Sequence, residues 1–254
     1  MAVLRAEGIA KSFGGQRIIE EISLELEEGE LVSLLGVSGG GKTTLFNVLA
    51  GLSQPDAGRV YLDGAEITGK PGQVSYMLQK DLLLPYRTIV DNVALPLLVK
   101  GMKKSAARQK ASAYFSRFGL EGTQRKYPAQ LSGGMKQRAA LLRTYLFSQR
   151  VALLDEPFSA LDMLTKKEVH NWYLQVMEQI DLSTLFVTHD IDEAILLSDR
   201  IYLLTGRPGR VTKEIRIREP KPRAKDFSLS EQFLAYKREI LGHLEESRGA
   251  LDVK

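Results

Sequence analysis

"LVSLLGVSGGGKTTLFNVLAGL", residues 31 to 52, decides how this chain is read. Residues 31 to 35 are nearly all apolar, glycines crowd the next stretch, and a helix-favouring segment then runs to Gly51. An apolar run that enters a glycine turn and leaves as a helix is a buried strand feeding a helix, with Gly51 as the stop. Within it stand Gly36, four residues, then Gly41, Lys42 and Thr43: the spacing G-x-x-x-x-G-K followed by Ser or Thr, in the strand-to-helix context that gives it meaning. Glycines let backbone N–H groups turn inward onto phosphate oxygens, and the helix start adds its positive dipole end. Lys42 is then placed to reach β- and γ-phosphates, and the Thr43 hydroxyl to ligate Mg²⁺. The neighbouring Ser38, Gly39, Gly40 and Thr44 complete the expected nucleotide cradle.

Outward from this stretch, "AVLRAEGI", "ISLEL" and "RVYLDG" read as short strands, and Asp63 with Gly64 is a hairpin-type turn. Much later, "VALLD" from Val151 and "STLFVTHD" from Ser183 are two more buried-strand candidates, each followed by a helical pattern. Buried strands alternating with helices imply a mostly parallel α/β sheet. Between Val90 and Phe147 the pattern is helical: Ala107, Ala111, Tyr114, Phe115 and Phe118 recur at spacings of three and four, and Gly119 closes the run. The expected fold is therefore α/β, with a mostly parallel sheet, an antiparallel N-terminal β subdomain and an inserted helical subdomain at about 90–147. Near the end, "SLSEQFLAYKREILGHLEES" reads as a helix, with Ser228 and Glu231 as its capping box and Leu229, Phe233, Tyr236, Ile240 and Leu244 as one stripe.

The strand "VALLDEPF" ends in Asp155 and Glu156. A carboxylate at the carboxyl end of a buried strand beside a phosphate loop suits a hydrated Mg²⁺, and a second suits a water aimed at the γ-phosphate. Bulk properties fit one large domain: 254 residues, 44% hydrophobic, 26% charged, formal net charge +4. With no cysteine, disulfides and thiolate metal sites are excluded. The opening "MAVLRAEGIA" lacks a secretory pattern, and no run approaches the roughly 18 apolar residues of a membrane span. A cytoplasmic protein is expected. Positive charge gathers between Gly206 and Lys225, where eight Lys or Arg face only Glu214 and Glu219. That segment reads as solvated surface or as a face near an anionic leaflet.

Taken together, these motifs resemble the nucleotide-binding subunit of an ABC transporter, in order and spacing, from residue 1 to about 215. "LSGGMKQR", residues 131 to 138, resembles the signature motif of that family and is the most specific match. The resemblance implies a P-loop NTPase core, ATP and Mg²⁺ as cofactors, and two copies packed head to tail. In that pairing Ser132, Gly133 and Gly134 of one copy face the γ-phosphate on the other's loop, where a helix start with glycines admits an anion closely. It further implies that Gln79 touches Mg²⁺ and the attacking water, that Asp155 helps hold the ion, and that Glu156 activates the water. His189 in "FVTHD" resembles the switch histidine that bonds the γ-phosphate, "SALD" from Ser159 to Asp162 resembles the loop that crosses the dimer interface, and Phe13 stands where an aromatic ring stacks on adenine. His170 and His243 read as surface or packing residues.

Residues 1–215 are thus the expected ATP-binding domain and 216–254 a connector and helix. "SYMLQKDLLLPYRTIVDNVALPL" and "GRPGRVTKEIRI" resemble the nitrate, sulfonate and taurine importers and their thiamine-precursor relatives. That implies permease subunits docking beside Gln79, an extracytoplasmic solute-binding protein, no nucleic acid, and a peripheral place on the cytoplasmic face of a bacterial membrane. The alternative is a non-transport ABC-type ATPase with a regulatory or nucleic-acid-associated role, supported by the basic segment.

Overall fold

A computed structural model describes residues 2–37, 39–148, 150–159, 162–221, 223–224 and 226–252. Its elements are β1 (Ala2–Phe13), β2 (Gln16–Glu27), β3 (Leu31–Gly36), α1 (Lys42–Leu49), β4 (Ala57–Leu62), β5 (Ala65–Glu66), β6 (Ser75–Met77), α2 (Ile89–Val93), α3 (Leu95–Val99), α4 (Lys104–Ser112), α5 (Gly133–Phe147), β7 (Val151–Asp155), α6 (Met163–Met177), β8 (Ser183–Thr188), α7 (Ile191–Leu197), β9 (Arg200–Thr205), β10 (Arg210–Arg216) and α8 (Glu231–Asp252). They fall into two compact units, Met1–Gln73 with Ser183–Lys254, and Val74–Leu182.

In the first unit β1 lies between β2 and β4, and β5 pairs on β4, all antiparallel. The Asp63 and Gly64 turn joins β4 to β5 with φ of 48° and 80°. Both values are positive, as a two-residue turn matched to strand twist requires. β1 and β2 are longer than the sequence pattern suggested. A register shift between Ala6 and Ile9, at Gly8, moves the buried positions from one alternation to the other and hides the strand's continuity.

β3 runs parallel between β8 and β9, and β10 closes that side antiparallel. β3, β8 and β9 are buried at every position, the state implied by apolar runs covered on both faces. Leu35, Ile195, Ile201, Leu203, Phe233, Tyr236 and Ile240 form a shared core that docks α8 onto this unit. Each such side chain contributes roughly 1.5–3 kcal/mol when fully buried.

The start of α8 corrects one expectation. Ser228 lies in a short 3₁₀ turn, Phe227–Leu229, and the Ser230 hydroxyl accepts the Phe233 amide at 3.1 Å. The helix therefore begins two residues later than the Ser228 box implied. Leu229 consequently sits outside the helix and is 83% exposed, whereas Phe233, Tyr236 and Ile240 are buried as expected.

In the second unit β6 runs parallel to β7, and helices fill the chain between them. The aromatic stripe there is partly irregular: α4 stops at Ser112, and Tyr114 and Phe115 continue through amide bonds to carbonyls three residues back. That tighter winding still buries Phe115 and Phe118, and Gly119 ends the stretch at a φ of 63°.

Candidate functional site

The 36–43 loop follows β3 directly. Gly40 N–H bonds back to the Val37 carbonyl at 3.2 Å, and Gly41 caps α1 at a φ of 89°. A Cβ on Gly41 would stand 2.4 Å from Ile19 Cγ2, so this corner needs glycine for its dihedral and for its space. No side chain caps α1. Lys42, only 6% exposed, folds its ammonium onto the carbonyls of Gly36 at 2.8 Å and Val37 at 2.9 Å. Thr43 and Thr44 stand in the first turn of α1, Gly39 is exposed on the loop, and Ser38 lies outside the described residues.

Within the same unit the structure brings His189 to the start of this loop. His189 follows β8, and Asp190 caps α7 by accepting the Glu193 amide at 3.1 Å. The imidazole lines a cavity of about 570 Å³ with Gly36, Val37 and, from α8, Leu241, Leu244 and Glu245. The closeness of α8 was not legible in the sequence, because an amphipathic stripe shows that a helix docks but not where. Phe13 ends β1 with its ring 54% exposed and Lys11 Nζ 5.4 Å from the ring centroid. An exposed aromatic ring at a strand end is a platform for stacking a planar ligand.

The second unit gathers the acidic pair and the glutamine. Asp155 and Glu156 follow one another at the end of β7, and Gln79 Nε2 donates to Glu156 Oε2 at 3.0 Å. The bond uses the amide nitrogen and leaves Gln79 Oε1 as an acceptor. Glu156 has a φ of 46°, a left-handed conformation that costs a non-glycine residue about 1–3 kcal/mol and recurs at functional sites. The turn is held by Ser159, whose amide and hydroxyl both donate to the Glu156 carbonyl at 3.2 and 3.0 Å. Tyr76 Oη donates to Asp155 Oδ2 at 3.4 Å, and burial followed by the charge of Asp155 pushes the phenol above its ordinary pKa. Tyr76 thus stays a proton donor to a carboxylate that is only 7% exposed.

Helix α5 carries the predicted signature at its start and, further along, braces the turn after Glu156 and the loop after Gln79. Ser132 is its cap, accepting the Met135 amide at 3.3 Å, and Gly133 and Gly134 form the first turn. Gln137 Nε2 donates to the Pro157 carbonyl, next to Glu156. Arg143 donates to the carbonyls of Asp81 and, at 2.8 Å, Leu82, in the loop that follows Gln79. Tyr76, Gln137 and Arg143 contact Asp155 or the backbone beside Glu156 and Gln79, and the sequence reading missed them. Their signal is faint: polar residues on the buried side of a strand or helix, visible only once that side is known.

The donor atoms assigned to Mg²⁺, the Thr43 hydroxyl, the Gln79 amide oxygen and the Asp155 carboxylate, are all hard oxygens. Among the described residues no three His, Cys, Asp or Glu side chains cluster as a cage. Hard oxygens are the donors that Mg²⁺ takes.

Residues 19–159 match a family model described as ABC transporter. The chain is similar to the formylaminopyrimidine import ATP-binding protein of Halalkalibacterium halodurans, 45% identical over 79% of this chain and 78% of that protein. It is also similar to the aliphatic sulfonates import ATP-binding protein of Bacillus cereus, 36% identical over 93% of this chain and 92% of the other. A solved dimeric bacterial ABC transporter cassette superposes with a TM-score of 0.72 at 29% identity, across 85% of this chain and all of that one.

Proposed function

The chain belongs to the ABC transporter family, and from that membership we propose that it is the ATP-binding and ATP-hydrolysing subunit of an importer, working as paired copies on a separate permease. The observation that carries the reading is the Gln79 to Glu156 hydrogen bond at the end of β7, in a chain that also folds a Gly-Lys-Thr loop into a helix start.

Chemistry follows from the residues in hand. Lys42 is pre-placed, and its bonds to the Gly36 and Val37 carbonyls exchange for stronger charge-assisted ones when phosphate oxygens enter. Phe13 takes the adenine ring, and the loop amides take the phosphates. The Glu156 carboxylate, oriented by Gln79 and by the Ser159 turn, accepts a proton from the water that attacks the γ-phosphate in line. His189 donates to the γ-phosphate oxygens, and Asp190 fixes its position by capping the next helix. Thr43, Gln79 and Asp155 would hold Mg²⁺, which would supply positive charge to offset that of the phosphates.

Pairing completes the pocket. Ser132, Gly133 and Gly134 of one copy present a helix start to the γ-phosphate on the other, so that ATP closes the pair and its hydrolysis opens it. Docking to a permease is supported by the surface of the second unit. Leu82, Tyr86 and Val99 are exposed there, and a cavity of about 590 Å³ is lined by Tyr86, Leu98, Asp91, Arg108 and Tyr127 among others. Tyr86, Leu98 and Tyr127 around that cavity give a partner apolar surface to bury. No helix among the described residues is long and apolar enough to cross a membrane; the proposed place at the cytoplasmic face is one held through that permease. The solute belongs to the nitrate, sulfonate, taurine and thiamine-precursor class and is delivered by a binding protein.

A nucleic-acid role loses support, because four of the segment's eight basic residues pair with carboxylates of the chain: Arg210 with Glu20 and Glu21, Lys213 with Glu239, Arg216 with Glu214, and Lys221 with Asp199. The test is Glu156→Gln. Hydrolysis falls by about 10²–10⁴-fold while ATP binding persists, and light scattering in ATP shows the mass of a pair. Parental turnover by this variant would overturn the role of Glu156, and a single-chain mass at saturating ATP would overturn the pairing.

A further inference from the structure

We propose that Arg207, at the tip of the β9–β10 hairpin, is a nucleotide-binding residue whose guanidinium adds positive charge to the rim of the phosphate loop and favours a nucleoside triphosphate over a diphosphate. The proposal rests on the reading of the 36–43 loop as the phosphate site.

The hairpin tip is seated on that loop. A Cβ on Gly209 would lie 2.2 Å from the Gly40 carbonyl oxygen, an approach open only to glycine. Backbone bonds fasten the tip to β2: Gly209 N–H to the Ile18 carbonyl at 2.8 Å, and Glu20 N–H to the Gly209 carbonyl at 3.0 Å. Two residues before this anchor, Arg207 extends its guanidinium along the loop, with Nη2 3.8 Å from where a Gly39 Cβ would stand.

The charge there is uncommitted. Elsewhere in the basic segment, Arg210, Lys213 and Lys221 pair with carboxylates, Arg216 with Glu214, and Arg223 donates to the carbonyls of Leu196 and Ser198. Among the described residues of the segment, only Arg207 and Arg218 carry a guanidinium with no ion pair or hydrogen bond, and Arg218 lies beyond the far end of β10. A phosphate bound on loop amides sits about 3 Å from them, which places the Arg207 charge inside the screening length of about 8 Å at physiological salt. Guanidinium is also the side chain best matched in shape to phosphate oxygens. Because a triphosphate carries roughly one more negative charge than a diphosphate, the attraction discriminates between them.

The experiment measures ATP and ADP binding by calorimetry to the full chain and to Arg207→Gln and Arg207→Lys, at low and high salt. At low salt Arg207→Gln weakens ATP binding by roughly 3- to 10-fold and ADP binding less, the loss shrinks at high salt, and Arg207→Lys stays within about twofold of the parent. Unchanged ATP affinity in Arg207→Gln overturns the proposal. So does a loss equal for ATP and ADP, a loss indifferent to salt, or one shared by Arg207→Lys, since each marks a structural brace. Lys42→Ala measured alongside separates the two levels. If Lys42→Ala abolishes binding while Arg207→Gln leaves ATP affinity unchanged, only the rim charge falls; if neither variant matters, the phosphate-loop reading itself has failed.

Discussion

Two helices in this chain begin in glycine, and they do so for different reasons. At α1 the cap is Gly41, left-handed at a φ of 89°, pressed against Ile19 and without a capping side chain. At α5 the cap is Ser132 in an extended conformation, its hydroxyl satisfying the Met135 amide, and Gly134 is helical. A Cβ on Gly134 would meet only the ends of two side chains, Thr165 Cγ2 and Val169 Cγ2, each at 3.2 Å. The first start cannot be built without glycine, so ligand and fold make the same demand there. At the second the chain's own packing makes a weak demand, and the proposed pairing assigns the remainder to a ligand brought by another copy.

Gly41→Ala is the strongest way to break this comparison. A left-handed alanine and a contact 2.4 Å from Ile19 Cγ2 together cost about 2–5 kcal/mol. Thermal melting should drop clearly, and ATP binding measured by calorimetry should vanish with the loop geometry. A variant that melts and binds like the parent would mean that the corner relaxes easily, and the contrast with α5 would lose its basis.

How far the sequence showed this difference depends on what each feature needs. The α1 corner was legible because strand, glycine turn and helix are local and contiguous, and Asp63 with Gly64 was legible for the same reason. The roles of Ser132 and Gly134 came from a resemblance, since a serine followed by glycines at a helix start is by itself an ordinary cap. Features made by distant segments were not legible: Arg143 bracing the loop after Gln79, α8 beside His189, and Gly209 seated on Gly40. Each depends on which faces meet, and one-dimensional periodicity carries no such information. The misplaced cap of α8 has a simpler cause, because Ser228 and Ser230 are both good caps and only the winding of residues 227–229 chooses between them.

Gly134→Ala sharpens the contrast with a smaller structural effect. Alanine gains up to about 1 kcal/mol of helix propensity over glycine, and the 3.2 Å contacts with Thr165 and Val169 oppose that gain. Stability therefore stays within about 1 kcal/mol of the parent, while ATP hydrolysis falls severalfold, because a methyl pressing on Thr165 and Val169 shifts the helix start that the proposed pairing aims at the partner's phosphate. Equal turnover in the two proteins would deny Gly134 a ligand and return α5 to ordinary packing.

Ser132→Ala is the finest test, because cap and ligand roles share one hydroxyl. As a cap, the exposed Ser132 makes a single bond of 3.3 Å, at the long end for a hydrogen bond. Its loss should cost about 0.5–1 kcal/mol, or roughly 1–3 °C in a chain of this size. Ser132→Asp separates the roles: aspartate caps as well as serine and restores the melting temperature, but its charge repels the γ-phosphate of the paired copy. Restored stability with lost ATP-dependent pairing, read by calorimetry and light scattering on the same samples, assigns the hydroxyl to the ligand. Restored pairing along with restored stability would reduce Ser132 to a cap, and the difference between the two helix starts would then rest on Gly133 and Gly134 alone.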